Sequence, residues 1–134
     1  MATVDFYEKP GCIGNAKQKA LLRSAGHTVR THNLLTEPWT PEQLRPFFGK
    51  QPVKQWFNPT APPITAGEVN PNQVSADEAL ALMVQQPLLI RRPLLRVEDD
   101  CAVGFDLIEV DAWLGLPPDI NLTQDVQTCP TSNR

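Results

Sequence analysis

The spacing of hydrophobic positions changes at Cys12. Before it, residues 2–7, ATVDFY, alternate with Val4 and Phe6 on one face, which predicts a short strand. Glu8-Lys9-Pro10-Gly11 reads as a turn. After it, Ala16, Ala20, Leu21 and Ala25 recur at helical spacing, and Gly26 supplies a stop. Residues 28–34, TVRTHNL, alternate again and predict a second strand. Strand, helix and strand in this order imply a parallel pair joined by a crossover. Cys12 then falls at the start of the first helix, where we expect a solvent-facing side chain at the C-terminal edge of the sheet.

Further along, Thr40-Pro41-Glu42-Gln43 combines a capping residue, a proline at the first helical position and a residue that can close a capping box, which predicts a helix to about Phe48. Val53–Phe57 predicts a further helical turn, stopped by Asn58-Pro59, and the Pro- and Gly-containing residues 58–72 predict a loop. Ser75-Ala76-Asp77-Glu78 is a second capping box, opening a helix to about Gln85. Leu88-Leu89-Ile90 is expected as a buried strand. Leu94–Val97 and Ala102–Phe105 are expected as a hairpin whose turn is Glu98–Cys101. Asp106 caps a last helix, with Ile108, Val110, Trp113 and Leu114 expected to face inward. The elements end near residue 116. The reading is one α/β domain over 1–116, with a mixed sheet of about four strands, and a flexible tail over 117–134.

Composition narrows the function. The 134 residues suit one domain, 41% of them hydrophobic, and no run approaches the roughly 18–20 apolar residues of a membrane helix. The start, MATVDFYEKPGC, lacks a basic segment followed by an apolar one, so we expect a cytoplasmic chain with no membrane association. The net charge is −3, and the short basic group Arg91, Arg92 and Arg96 is followed at once by Glu98, Asp99 and Asp100, which argues against direct nucleic-acid binding. The three cysteines, Cys12, Cys101 and Cys129, form no C-x-x-C pair and lie far from His27 and His32, so no metal site is expected. Trp39, Trp56 and Trp113 read as core or loop-anchoring aromatics.

Candidate chemistry centres on Cys12. A helix N-terminus offers unpaired N–H groups and partial positive charge that stabilise a thiolate, and Lys9 and Lys17 can add to it. Against this stands the reading of a small apolar residue filling space at a helix start. Arg92 is a candidate anion ligand or a solvated edge charge, and Pro93 is a candidate cis proline. Cys101 and Cys129 read either as incidental thiols or as groups able to resolve a mixed disulfide at Cys12.

The string Tyr7-x-x-Pro10-x-Cys12, the helix after it, and Leu89-Ile90-Arg91-Arg92-Pro93 followed by a hairpin and a last helix resemble the glutaredoxin-coupled arsenate reductase family. That family also holds the Spx-type transcription regulators and a branch of nitrogenase-associated proteins. Pro52-Val53-Lys54-Gln55-Trp56-Phe57-Asn58 looks most like the last branch. The resemblance spans about residues 3–115. It implies a thioredoxin-like (glutaredoxin-like) fold with an inserted helical segment. In the reductases it implies a cysteine matching Cys12 that attacks arsenate, three arginines that cradle the oxyanion, and glutathione and glutaredoxin that reduce the adduct. Of those arginines only Arg92 has a match; Asn58 and Phe105 stand at the other two positions. Glu8 replaces the reductase histidine four residues before the cysteine. A carboxylate there would hold the proton on sulfur. The Spx type implies a C-x-x-C pair, and Asn15 stands at its second position.

Three functions are consistent with these residues. One is an accessory protein without arsenate reductase activity, associated with nitrogen fixation and a nitrogenase-related partner. Another is a monothiol oxidoreductase using Cys12 with glutathione as co-substrate, or with glutaredoxin. The third is a regulator binding RNA polymerase. No resident cofactor is expected. The candidate site comprises Cys12 as the thiol, with Glu8, Asn15, Asn58, Arg92 and Pro93 around it.

Overall fold

The computed structural model describes residues 2–117; the expected tail, but for Pro117, lies outside them. The first strand, β1 (Thr3–Glu8), pairs in parallel with β2 (Thr28–Asn33) after the crossover helix α1 (Ile13–Ser24). On its other side β1 pairs antiparallel with β3 (Leu94–Val97), which pairs antiparallel with β4 (Asp100–Val103). The sheet is mixed, four-stranded and ordered β2-β1-β3-β4.

Central strands bury both faces, and the sequence shows why these two can. In β1, Val4 and Phe6 face one side and Tyr7 the other, and in β3 the neighbours Leu94 and Leu95 point to opposite sides, all of them buried. One face carries Val4, Phe6 and Leu95 onto Leu22 of α1 and onto Leu107 and Val110 of the last helix, α5 (Leu107–Leu114). The other face carries Tyr7 and Leu94 into a larger cluster supplied by the segment between β2 and β3. That segment holds α2 (Pro41–Phe48), a 3-10 turn at Val53–Trp56, the short helix α3 (Pro62–Thr65) and α4 (Ala76–Gln85). Both expected capping boxes form, Thr40 with Gln43 and Ser75 with Glu78. The three tryptophans pack as expected. Trp39 and Trp56 are buried, their indole N–H groups donating to the carbonyls of Leu34 and Gln51, and Trp113 packs against the α1/α5 cluster.

Four local expectations need correction. Leu88–Ile90 is not a strand. Pro87, which has no N–H to give a ladder, starts a 3-10 turn over Pro87–Leu89, and Ile90 makes one isolated bridge to Phe57. The hairpin turn is tighter than expected. Val97 pairs with Asp100, leaving Glu98 and Asp99 as a two-residue turn with Glu98 at a φ of 55°, so Cys101 lies on the strand and Phe105 beyond it. In α5, Leu107 and Val110 face the core and Ile108 is exposed, because the helix begins directly after Asp106 and its inward stripe follows from there. Within the expected loop 58–72, Pro62 opens the single-turn α3.

Candidate functional site

Cys12 is positioned by a turn and a cap. Gly11 adopts a φ of 83°, a conformation that L side chains rarely hold, and this carries the chain from β1 into α1. The Cys12 N–H donates to the Lys9 carbonyl at 3.2 Å, and the Cys12 carbonyl accepts from the Ala16 N–H at 3.1 Å. Cys12 is itself the N-cap. Its Sγ accepts from the Asn15 N–H at 3.4 Å, which aims the sulfur across the first turn of the helix. The residue is only 3% exposed, and its sulfur is one half of a disulfide. The expectation of a solvent-facing side chain at Cys12 is therefore overturned: the sulfur caps the helix and is buried. Cys101 is a free thiol.

Asn15 and Gln18 are buried on the first two turns of α1. Asn15 Oδ1 accepts from the Lys9 N–H at 3.2 Å, and its Nδ2 donates to Gln18 Oε1 at 2.9 Å. Asn15 therefore braces the Cys12 turn against the helix where a C-x-x-C motif would hold its second thiol. Glu8, expected to set an acidic environment for Cys12, forms an ion pair with Lys19 of α1, which offsets its charge.

Arg92 and Pro93 lie at the same end of the sheet as this turn. β1 and β3 are antiparallel and Tyr7 pairs with Leu94, so the chain enters β3 beside the point where β1 leaves the sheet. The Arg92–Pro93 peptide is cis, as expected, and the Pro93 carbonyl accepts from the Gly104 N–H at 2.8 Å. Arg92 is buried, and that burial lowers its guanidinium pKa. Burial first, and then the charge of Arg92, lower the pKa of the Lys9 ammonium. Arg91 takes a different direction: it reaches the Gln55 carbonyl and packs over Gly104, where an added Cβ would meet its guanidinium at 3.0 Å.

Asn58 approaches from the inserted segment. Its N–H donates to the Leu89 carbonyl at 2.8 Å and the Arg91 N–H donates to the Trp56 carbonyl at 2.9 Å, so residues 56–58 run beside the approach to Arg92. The Asn58 side-chain oxygen accepts from the Thr60 N–H and, at 2.8 Å, from the Thr60 hydroxyl. Phe105 is fully buried in the α1/α5 cluster.

A second polar group escaped the sequence reading. Asp5 lies between Val4 and Phe6 and is only 5% exposed. Its two oxygens accept from Arg30 Nε and Nη2, each at 2.9 Å; His32 Nε2 is 2.9 Å from Oδ1, and Arg96 Nε is 3.8 Å from Oδ2. Burial alone would raise the Asp5 pKa, but Arg30 and His32 together hold it below the usual carboxylate value of 3.8. The signal was present in the alternation of Arg30 and His32 on the strand next to an acidic residue in an apolar run. Beyond it, a cavity of about 250 Å³ is lined by Tyr7, Trp39, Phe47, Arg96 and Cys101 among others. Burial raises the pKa of the Cys101 thiol, so this cysteine is a weak nucleophile.

Among the described residues, no helix is long and apolar enough to cross a membrane. The chain is 52% identical over 134 residues to an uncharacterized 15.7 kDa protein in the draG 3′ region of Rhodospirillum rubrum, covering 98% of this chain and 90% of that one. It is 27% identical over 113 residues to global transcriptional regulator Spx 1 of Lactococcus lactis, covering 83% and 88%. Solved structures share its fold, two of them as follows. An arsenate reductase from Vibrio cholerae matches with a TM-score of 0.67 at 23% identity, over 77% of this chain and 90% of that one. An ArsC family related protein from Bacteroides fragilis matches with a TM-score of 0.73 at 23% identity, over 82% and 97%. The fold is thus the thioredoxin-like one, with its helical insertion between β2 and β3. The model of the ArsC family matches residues 8–113, which run from the end of β1 through α5, and the chain belongs to the ArsC family.

Proposed function

We propose that this ArsC-family chain is an accessory protein without useful arsenate reductase activity, associated with nitrogen fixation. The observation that carries the first half is the burial of Phe105. The reductase pattern calls for an arginine there, and this chain has an aromatic ring buried in an apolar cluster. At the second arginine position, Asn58 has no charge, and its oxygen is committed to Thr60. Arg92 remains as the single matching cation. A hydrogen bond to a charged group contributes about 1.5–3 kcal/mol, so losing two such arginines weakens oxyanion binding by several powers of ten. The second half is supported by the relative from the draG 3′ region and by the likeness of Pro52–Asn58 to the nitrogenase-associated branch. Its partner on this reading is a protein of the nitrogen-fixation machinery.

The test is arsenate-dependent oxidation of NADPH, coupled through glutathione and glutaredoxin. We expect the background rate. Turnover comparable to that of an authentic reductase, abolished in Cys12→Ser, overturns the accessory reading. Affinity capture from cells grown without fixed nitrogen tests the association, with a nitrogenase-related protein as the expected companion and RNA polymerase as the outcome that favours a regulator.

A second reading, a thiol oxidoreductase coupled to glutathione or glutaredoxin, is favoured by one feature. Cys12 is the N-cap of α1, its N–H bonded to the Lys9 carbonyl, and Arg92 precedes β3 at the same end of the sheet. A helix N-terminus is a position that favours thiol exchange.

A further inference from the structure

The cavity beside Cys101 lies on the sheet face that carries Tyr7, opposite the face covered by α1. Strand register sets its floor. Arg96 pairs with Asp5 on one side and with Cys101 on the other, and Tyr7 stands two residues along β1 from Asp5, on the same face. The Tyr7 ring is held in place: it stacks on His32 at 4.6 Å and meets Trp39 at 5.1 Å and Phe47 at 5.5 Å. Tyr7 is only 4% exposed, yet its hydroxyl makes no hydrogen bond among the described residues and opens into the cavity. The Arg96 guanidinium is an ion-pair partner of Asp5 at 3.8 Å, beyond hydrogen-bond reach, while Arg30 and His32 occupy the Asp5 oxygens. Glu37 adds to the lining a carboxylate that enters no ion pair among the described residues.

We propose that this cavity is a binding site for a small aromatic zwitterion, a single ring that bears a carboxylate and an ammonium group on a short arm. Two donors, the Tyr7 hydroxyl and the Arg96 guanidinium, suit the carboxylate. Burial raises the Tyr7 pKa, so the phenol keeps the proton it donates. Glu37 suits the ammonium group. Trp39 and Phe47 offer the ring face and edge contacts, and the Trp39 N–H is already given to the Leu34 carbonyl, so that wall is apolar toward a ligand. Volume sets the size. A dry cavity of about 150 Å³ accepts a benzene ring, and drug-sized ligands fill about 300–1,000 Å³. The 250 Å³ here falls between the two and suits one ring with a short polar arm. No group in this site belongs to the Cys12 region, so the proposal stands or falls separately from the accessory reading.

Cys101 makes the test local, because it is a free thiol on the cavity lining. The full chain is titrated by calorimetry with three probes: L-phenylalanine, phenylacetate, which lacks the ammonium group, and phenethylamine, which lacks the carboxylate. In parallel, alkylation of Cys101 by iodoacetamide is followed by mass spectrometry with and without each probe. We expect L-phenylalanine to bind saturably and to slow alkylation of Cys101, and each truncated probe to bind about tenfold more weakly or worse, for the loss of a charge-assisted contact. Tyr7→Phe, which keeps the ring and removes only the hydroxyl, and Arg96→Gln, at an exposed side chain, should each weaken L-phenylalanine by a similar factor, with the thermal midpoint confirming that both variants fold. Three results overturn the proposal. One is that none of the probes binds saturably. Another is that phenylacetate or phenethylamine binds as well as L-phenylalanine, which removes the zwitterion. The third is binding that leaves Cys101 alkylation unchanged or survives intact in Tyr7→Phe and Arg96→Gln, which puts the ligand elsewhere.

Discussion

The two oxygens of the Asp5 carboxylate accept from Nε and Nη2 of Arg30 across the parallel pair β1–β2, each at 2.9 Å, in a two-pronged geometry. The carboxylate is buried and the guanidinium is mostly exposed. The pair therefore fastens the middle of the sheet to its edge strand.

Asp5 should make stability depend on pH in the acid range. Its folded-state pKa is held below 3.8. A depressed carboxylate contributes stability above its unfolded pKa and loses it as pH falls through the folded one. Asp5→Asn should cost about 1–2 kcal/mol at neutral pH, a figure discounted for the exposed Arg30, and the gap from the unmodified chain should close below about pH 4. Urea unfolding at neutral pH and at pH 3 checks both statements; a gap that stays constant would remove the carboxylate from the account.

Asn15→Ala should loosen the Cys12 turn. It removes the acceptor that Asn15 gives the part-buried Lys9 N–H and the donor that it gives the buried Gln18 side chain. A hydrogen bond of this kind contributes about 0.5–1.5 kcal/mol. Faster alkylation of reduced Cys12, together with a lower midpoint in urea, is the expected pair of results. Unchanged alkylation would mean that the turn holds without this brace.

Restoring the reductase arginines should fail at one position. Phe105→Arg places a charge in an apolar cluster at a site with no exposure, and should destabilise the fold by at least about 3 kcal/mol. Asn58→Arg is milder and should raise affinity for an oxyanion, read by calorimetry with arsenate. A stably folded Phe105→Arg variant that binds arsenate would show that the cage tolerates rebuilding.

The cap at the start of α4 is expected to be worth about 1 kcal/mol. Ser75 accepts from the Glu78 N–H while Glu78 returns a bond to the Ser75 N–H. Ser75→Ala should lower the thermal midpoint by a few degrees and leave the Cys12 region untouched, because α4 packs on the opposite face of the sheet from α1.

The sequence alone carried the periodic elements and the caps. Alternation in ATVDFY, the helical spacing after Cys12 and the Thr40 and Ser75 boxes are local signals, and local backbone preferences are enough to express them. It also carried the placement of Cys12 at a helix start and, through family resemblance, the cis peptide before Pro93. The tertiary structure decided what those side chains face. Cys12 turned from an expected surface thiol into a buried cap, and Glu8 gained a partner in Lys19 that the sequence did not announce. Leu88–Ile90 had the composition of a strand but no neighbour to complete a ladder beyond the single bridge from Ile90 to Phe57. Asp5 looked like an interruption in an apolar run until β2 brought Arg30 and His32 to it. In each case the deciding partner is distant in sequence or on another element, and the energy of a buried charge, a ladder or a capped sulfur depends on that partner, which no local pattern contains.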